Sequence, residues 1–306
     1  MPSLDNISSL IYLKDKARKW KNIAILVAIF SSMLFAKLVF GNKLSGMFSG
    51  EDCIANIRIS GVIFEDDFRS KILKQIAAEK SIKALIVNID SPGGGIVGSE
   101  ILFNNLREIA DNKPVVAVME SVAASGAYMA AIAADYIVAH NGTITGSIGV
   151  IMELPEVTEL ADKLGIKVNA YKSSPIKGSP SPFEKSNVAV DNIVNASIAD
   201  SHLFFTELVK ARRGDKLDVK AHAVIFDGRI FTGRQALRVG LVDKVGSERD
   251  AISYLSENKI DTKLPIKDIE IVEREKKFFE KFFSFLPFFD LAKGGITGSG
   301  IMAVMR

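Results

Sequence analysis

The sequence is poor in the residues that build metal centres and disulfides. Its 306 residues include one cysteine, Cys53, and three histidines, His140, His202 and His222. A single cysteine can form neither an internal disulfide nor a cysteine-based zinc site, and three scattered histidines argue against a multi-histidine metal centre. Disorder is also excluded, because a chain that is 48% hydrophobic buries enough surface to offset its ordering entropy. We therefore expect a folded protein whose chemistry needs no metal and no cofactor.

The body of the chain also lacks any excess of one charge. Residues 1–22 contain five basic and two acidic residues, which accounts for the whole net charge of +3, and the other 34 basic and 34 acidic residues balance. A nucleic-acid partner is excluded on this ground, because the body has no basic surplus to neutralise phosphates. We interpret residues 1–22 as a basic cytoplasmic tail.

One apolar run is just long enough to span a membrane. Residues 23–40, IAILVAIFSSMLFAKLVF, would reach about 27 Å as a helix, and Lys37 near its outer end can snorkel to the interface. We predict an uncleaved transmembrane signal anchor, followed by a flexible tether at 41–52 and a domain outside the cytoplasm. A cleaved signal peptide is the alternative, because the uncharged part, residues 23–36, is short. Outside the cytoplasm, nucleotide cofactors are scarce, which favours hydrolysis.

Strand and helix patterns alternate beyond the tether, which is typical of an α/β domain, here assigned to residues 53–260. Thr232 and Gln235 form a capping box that starts a further helix. The remaining residues, 261–306, form a C-terminal extension with a Phe-rich amphipathic stretch at 278–289. Strands are predicted at 53–64, 84–90, 115–119, 136–139 and 167–171, and helices at 67–80, 96–110, 155–164 and 187–211.

Three stretches at strand ends contain candidate catalytic groups. The glycines of DSPGGG at 90–95 suit either a tight structural turn or an oxyanion hole, and the stretch lacks the Lys and Ser/Thr of a phosphate loop. Ser125 lies among small residues at a strand-to-helix turn, which fits a nucleophile or a helix-packing contact. Lys177 lies among prolines and serines in YKSSPIKGSPSPF at 171–183, where it could be a general base or an ordinary surface lysine.

Taken together, these motifs resemble the signal peptide peptidase A family, also called protease IV, in its short form. Besides DSPGGG, the chain has AASGAY at 123–128, TGSIGV at 145–150, the Lys177 segment followed by Ser181-Pro182, and DGRIFTGRQALRVGLVD at 227–243. The resemblance covers roughly residues 53–250. It implies a Clp/crotonase-like fold of repeated β-β-α units preceded by the transmembrane helix.

The resemblance also implies the site residues. Ser125 would be the nucleophile, Lys177 the general base, and Ser147 the residue that orients the lysine. The backbone N–H groups of Gly126 and Gly94 would form the oxyanion hole, although three adjacent glycines leave the register of the second donor open. A base must be neutral, and a free lysine with a pKa near 10.4 is not, so Lys177 is expected to be desolvated and without an acid partner.

Two features near the base bear on this expectation. Glu184 is close in sequence, and its side chain must point away from Lys177. An extra proline, Pro180, precedes the expected Pro182 and can reshape the neighbouring groove. A separate departure lies beside the nucleophile, where Ala127 replaces the family's second glycine.

The family implies signal peptides and other unfolded apolar peptides as substrates, an acyl-enzyme, and a homo-oligomer. It also implies a single-pass protein of the bacterial cytoplasmic membrane, with its catalytic domain on the periplasmic side. One alternative is a Clp-type Ser-His-Asp peptidase that uses His140. Another is a non-catalytic membrane-anchored scaffold that binds partners through its Phe-rich stretch.

Overall fold

The computed structural model describes Trp20, Lys21, Val27, Phe30, Ser31 and residues 50–271. The chain divides into two compact units, Met1–Glu51 and Asp52–Arg306. In the first unit, Trp20, Lys21, Val27, Phe30 and Ser31 are helical, Gly50 and Glu51 lie in a bend, and all seven are exposed. The rest of the predicted anchor at 23–40, the tether up to residue 49 and the Phe-rich stretch lie outside the described residues. Among the residues that the structure does describe, none belongs to a helix both long and apolar enough to cross a bilayer.

Residues 50–271 form a mixed α/β fold around one sheet, as the alternating pattern predicts. The strands are β1 Cys53–Ser60, β2 Ile82–Ser91, β3 Val115–Ala124, β4 Tyr136–Ala139, β5 Ile144–Gly146, β6 Ile230–Thr232, β7 Lys244–Val245 and β8 Ile266–Asp268. The helices are α1 Asp67–Ala78, α2 Ile96–Ala110, α3 Gly126–Ala131, α4 Thr158–Lys163, α5 Val188–Arg213, α6 His222–Ile225, α7 Gly233–Arg238 and α8 Glu248–Glu257, with short 3₁₀ turns at Gly214–Lys216 and Val219–Ala221.

The sheet runs in the order β6-β5-β3-β2-β1-β8, and β4 pairs with both β3 and β7. β5 and β6 pair antiparallel, and the other pairings among the described strands are parallel. Eight of the ten residues of β2 are buried and six of these are apolar, as expected for a parallel strand covered on both faces. One face of the sheet packs against α8 through Ile54, Ile86, Val118 and Leu255.

Strand β3 is long enough to change partner, and this change prepares the site. Its first half pairs with β4 at Val116–Met119, and its last three residues, Val122–Ala124, pair with β5. The carboxyl ends of β2, β3 and β5 therefore lie side by side. Ligands of open α/β sheets commonly bind at such an edge.

One long stretch, residues 149–189, contains no buried residue, and we call it the outer segment. The predicted strand at 167–171 is wrong: these residues are irregular, because no neighbouring strand is placed to pair with them. The predicted helix at 155–164 shortens to α4 for a related reason, since α4 has no buried face to stabilise it. Eleven large apolar side chains of the outer segment remain exposed: Ile151, Met152, Leu154, Leu160, Leu164, Ile166, Val168, Tyr171, Ile176, Phe183 and Val188.

Candidate active site

Ser125 occupies a strained turn between β3 and α3. Its φ of 55° and ψ of −124° lie in a region that residues with a side chain rarely adopt. The turn is held on both sides: the Ser125 N–H donates to the Gly146 carbonyl at 2.9 Å, and its carbonyl accepts from the Met129 N–H at 3.0 Å. Strain of about 1–3 kcal/mol persists only where the surroundings impose it, and it is common where a side chain must be presented for chemistry. Ser125 is half-buried.

The glycine turn after β2 packs directly against this serine. Gly93 has φ 99°, and a Cβ there would lie 2.7 Å from the Gly126 nitrogen and 3.0 Å from the Ser125 Cβ. Gly94 forms an isolated bridge with Ile63, so close that a Cβ at Gly94 would overlap the Ile63 carbonyl. Only glycine fits either position, because the backbone of one motif touches the backbone of another.

The hydrogen bonds of this turn distinguish its three glycines. The Gly93 N–H donates to the Ser91 hydroxyl at 3.1 Å, and the Gly95 N–H donates to the Ile63 carbonyl at 2.9 Å. Within residues 50–271, no hydrogen-bond acceptor is described for the Gly94 N–H. Of the three glycines, Gly94 is therefore the one whose N–H is left to donate to a ligand.

Gly126 supplies a second N–H beside it. Gly126 is the first residue of α3, where an N–H has no acceptor within the helix. A Cβ at Gly126 would lie 3.3 Å from the Gly94 nitrogen, so the two nitrogens are neighbours. Two neighbouring backbone N–H groups next to a serine are the kind of donors that stabilise the oxyanion of a tetrahedral intermediate.

Ser147 follows β5, next to the same turn. It has φ 50°, and its N–H donates to the Arg229 carbonyl at 2.8 Å. The preceding residue, Gly146, accepts the Ser125 N–H, which places the two serines on adjoining strand ends. The motif at 227–243 supports this corner: a Cβ at Gly146 would lie 2.6 Å from the Phe231 ring. The exposed Asp227 and Arg229 also pair at 2.6 Å, and the hydrogen bond from Arg229 lowers the pKa of Asp227.

Lys177 departs from expectation. The sequence predicts a desolvated lysine, whereas in the single chain Lys177 is exposed in a turn, its N–H donating to the Ser174 carbonyl at 3.1 Å. Its Nζ makes no described hydrogen bond or ion pair with any residue of 50–271. The physical reason is that the outer segment, which contains Lys177, buries none of its residues within one chain. Glu184 points away as expected, because it pairs with Lys172 at 2.5 Å.

The histidine of the alternative triad lies elsewhere. His140 is exposed at the end of β4, and its N–H donates to the Thr143 hydroxyl at 2.9 Å. In the described part of the chain, no hydrogen bond joins His140 to Ser125. The described residues also contain no group of three or more His, Cys, Asp or Glu side chains that could hold a metal ion.

Comparison with known proteins decides the family. A model of Peptidase family S49 matches residues 107–261, about half of the chain. A protein of Methanocaldococcus jannaschii, named as a candidate protease, is 34% identical over 254 residues that cover 77% of this chain and 81% of the relative. The chain belongs to peptidase family S49. This confirms the resemblance to signal peptide peptidase A and protease 4, and it makes the chain a serine peptidase.

Two further similarities have a narrower scope. Protease 4 of Haemophilus influenzae is 32% identical to this S49 peptidase. The aligned part covers 65% of this chain and 34% of the longer relative. A solved structure, a mutant of the 1510-N membrane-bound stomatin-specific protease, aligns with a TM-score of 0.43 and 16% identity, covering 72% of this chain and 99% of that chain.

Several supporting residues of this S49 peptidase were not singled out from the sequence. Gly93 lets the glycine turn pack directly against Ser125, and the buried Ser99 on α2 leaves no room for a Cβ at Gly126. The Asp90 carboxylate accepts the Val122 N–H at 3.1 Å, which fixes β3 just before the serine. In the sequence, the motif DSPGGG is a signal for the roles of Asp90 and Gly93. Ser99 has no signal other than its spacing in α2.

Proposed function

We propose that this S49 peptidase is a membrane-anchored endopeptidase that cleaves signal peptides and other unfolded apolar peptides through a Ser125–Lys177 dyad. The observation that carries the proposal is the turn in which the strained Ser125 lies against the N–H groups of Gly94 and Gly126. Substrates of this kind are proposed from the family and from the expected position of the domain beside a membrane.

The proposed reaction is amide hydrolysis in two steps. Lys177 in its neutral form accepts the Ser125 hydroxyl proton while the serine oxygen attacks the substrate carbonyl. The oxyanion is stabilised by the N–H groups of Gly94 and Gly126, and the ammonium of Lys177 then protonates the leaving amine. The acyl-enzyme is hydrolysed by a water molecule that Lys177 activates in the same way. Ser147 is proposed to orient the lysine.

The exposure of Lys177 supports a homo-oligomer. A solvated lysine remains protonated at neutral pH, so the proposed base needs a covering surface, which residues 50–271 do not supply. The outer segment around it exposes eleven large apolar side chains, with Tyr171 97% exposed. An exposed apolar patch of this extent is typical of an interaction surface. We propose that a second copy of the chain covers this segment and desolvates Lys177.

We also propose the arrangement of the whole chain. Residues 23–40 form the anchor, residues 1–22 stay in the cytoplasm, and the peptidase domain at 53–260 lies on the periplasmic side of the bacterial cytoplasmic membrane. The basic N-terminal flank supports this orientation. The order β1-α1-β2-α2-β3-α3-β4, with parallel neighbours, supports the Clp/crotonase-like assignment.

The dyad is tested with the full chain in detergent and a fluorogenic apolar peptide. We expect Ser125→Ala and Lys177→Ala each to lower kcat/KM by at least about 10³-fold, whereas the exposed controls Ser121→Ala and Lys163→Ala keep it. A fluorophosphonate label should modify the wild type and not Ser125→Ala. Activity that survives either dyad substitution would sink the proposed mechanism.

The oligomer and the topology have separate tests. Specific activity should fall on dilution at the concentration at which sedimentation shows the assembly dissociating, and an active monomer would refute the covering role of a second copy. A membrane-impermeant reagent should reach a cysteine introduced at Asp200 from the periplasmic side. Labelling from the cytoplasmic side would refute the orientation.

A further inference from the structure

A partly buried ion pair closes the loop that contains Lys177. The Lys172 Nζ lies 2.5 Å from the Glu184 Oε2, and the same Nζ donates to the Ser179 hydroxyl at 3.3 Å. Only 19% of the Lys172 side chain is exposed, although most of the outer segment around it is open to solvent. Lys172 therefore ties the start of the loop to two points on the far side of Lys177.

Two backbone hydrogen bonds shape the loop between these points. The Lys177 N–H donates to the Ser174 carbonyl at 3.1 Å, and the Ser179 N–H donates to the Ile176 carbonyl at 3.0 Å. Residues 171–183 contain no acidic residue, so Glu184 is the nearest carboxylate after Lys177 in the chain. This carboxylate is the one that Lys172 neutralises.

The other charged groups near the pair have their own partners. Glu184 lines a groove of about 350 Å³ between residues 152–156 and the start of α5, together with Glu156, Lys185 and Asp191. Glu156 accepts from the Thr158 hydroxyl, Asp191 accepts from the Ser186 hydroxyl, and Lys185 lies 3.7 Å from Glu159. Lys172 is thus the cation that is placed to compensate Glu184.

We propose that Lys172 and Glu184 are positioning residues for the base: their ion pair holds the Lys177 loop and prevents the Glu184 carboxylate from pairing with Lys177. The inference rests on the proposed function, because it matters only if Lys177 is the base. A carboxylate without a partner near Lys177 would favour the ammonium form and remove the base at neutral pH. With Lys172 in place, the charge of Glu184 is cancelled and Lys177 can lose its proton.

The test measures the pH dependence of kcat/KM for the full chain, because its acid limb reports the base of the free enzyme. Lys172→Met should move the acid limb up by about one pH unit, because one uncompensated carboxylate close to a base shifts its pKa by an amount of this order. At a pH below this limb, kcat/KM should fall about tenfold. Glu184→Gln should move the limb down or leave it, and the double variant should return it close to that of the wild type.

Opposite shifts and their cancellation distinguish this role from a structural one, which would lower activity without moving the acid limb. Lys172→Arg keeps the charge and should keep the limb, and if Lys172→Met does not fold, the comparison of Glu184→Gln with wild type and Lys172→Arg replaces it. An acid limb that moves up in Glu184→Gln, or stays unmoved in Lys172→Met, overturns the inference. If Lys177→Ala remains active, the proposed base itself fails, and that outcome is distinct from the failure of the ion pair.

Discussion

Replacement of Gly93 by alanine should damage both the fold and the site. The φ of Gly93 is 99°, which disfavours any residue with a Cβ. The new Cβ would lie 2.7 Å from the Gly126 nitrogen and 2.8 Å from the Ala124 carbonyl oxygen. These neighbours are backbone atoms, so they cannot rotate away as the end of a flexible side chain would.

The magnitude follows from two contributions to the free energy of unfolding. A left-handed backbone costs an alanine about 1–2 kcal/mol, and forcing an extra methyl into a packed site costs typically about 1–3 kcal/mol. Together these amount to about 2–5 kcal/mol, a large fraction of the roughly 5–15 kcal/mol of a typical domain. The methyl group would also crowd the nitrogen of Gly126, the proposed oxyanion donor, and the loss of one such donor is expected to lower kcat by about 10²–10³-fold.

Gly95 provides a matched control within the same three glycines. Its φ is −62°, and a Cβ there would meet its nearest atom, the Ile63 carbonyl oxygen, at 4.0 Å. Gly95→Ala should therefore stay within about 1 kcal/mol of the wild type. Urea denaturation measures the stability of the two variants, and the fluorogenic peptide measures kcat/KM. If Gly93→Ala is as stable and as active as Gly95→Ala, the packing of the glycine turn against Ser125 is not what the distances indicate.

Two further substitutions test the surroundings of the site. The Cβ of Gly126→Ala would overlap the Ser99 hydroxyl, which should lower both stability and kcat/KM. Adding Ser99→Gly to the same chain removes the overlapping atoms, so it should restore much of the stability measured by urea denaturation. Burial alone would raise the pKa of Asp243, but its hydrogen bonds from the buried Arg213, at 2.9 and 3.0 Å, hold it below the ordinary value. Asp243→Asn should cost about 3–5 kcal/mol at pH 7, and the difference from wild type should shrink as the pH falls from about 3.9, the ordinary pKa of an aspartate, towards the lower pKa of Asp243 in the folded chain; a difference independent of pH would refute this.

Where local signals agreed, the sequence predicted the fold closely. Helix α2 has the predicted bounds of 96–110, because its apolar spacing starts directly after three glycines. The capping box of Thr232 and Gln235 is present, and β4 spans the predicted residues 136–139. These elements are set by short-range patterns and by burial within one chain, and both are visible in a single sequence.

The sequence predicts which residues form the candidate site, but not which of the three glycines offers its N–H. Parallel strands end at one edge, so motifs that follow β2, β3 and β5 meet there whatever their distance in sequence. Which of the three glycines offers a free N–H depends on the bridge between Ile63 and Gly94, which are 31 positions apart. No pattern in DSPGGG alone contains that information.

The outer segment is the part of the fold that the sequence predicts least well. An apolar pattern shows that a residue is to be covered, but it does not show by what, and the stretch KVNAY at 167–171 was read as a strand of the same core. A strand needs a hydrogen-bonding partner and a surface that covers its apolar face, and among residues 52–271 neither is placed against 167–171. The exposure of Lys177 has the same origin, because a lysine loses its charge only in an environment that the outer segment does not build alone. If the proposed second copy supplies that environment, the misplaced strand and the exposed base are two consequences of one interface.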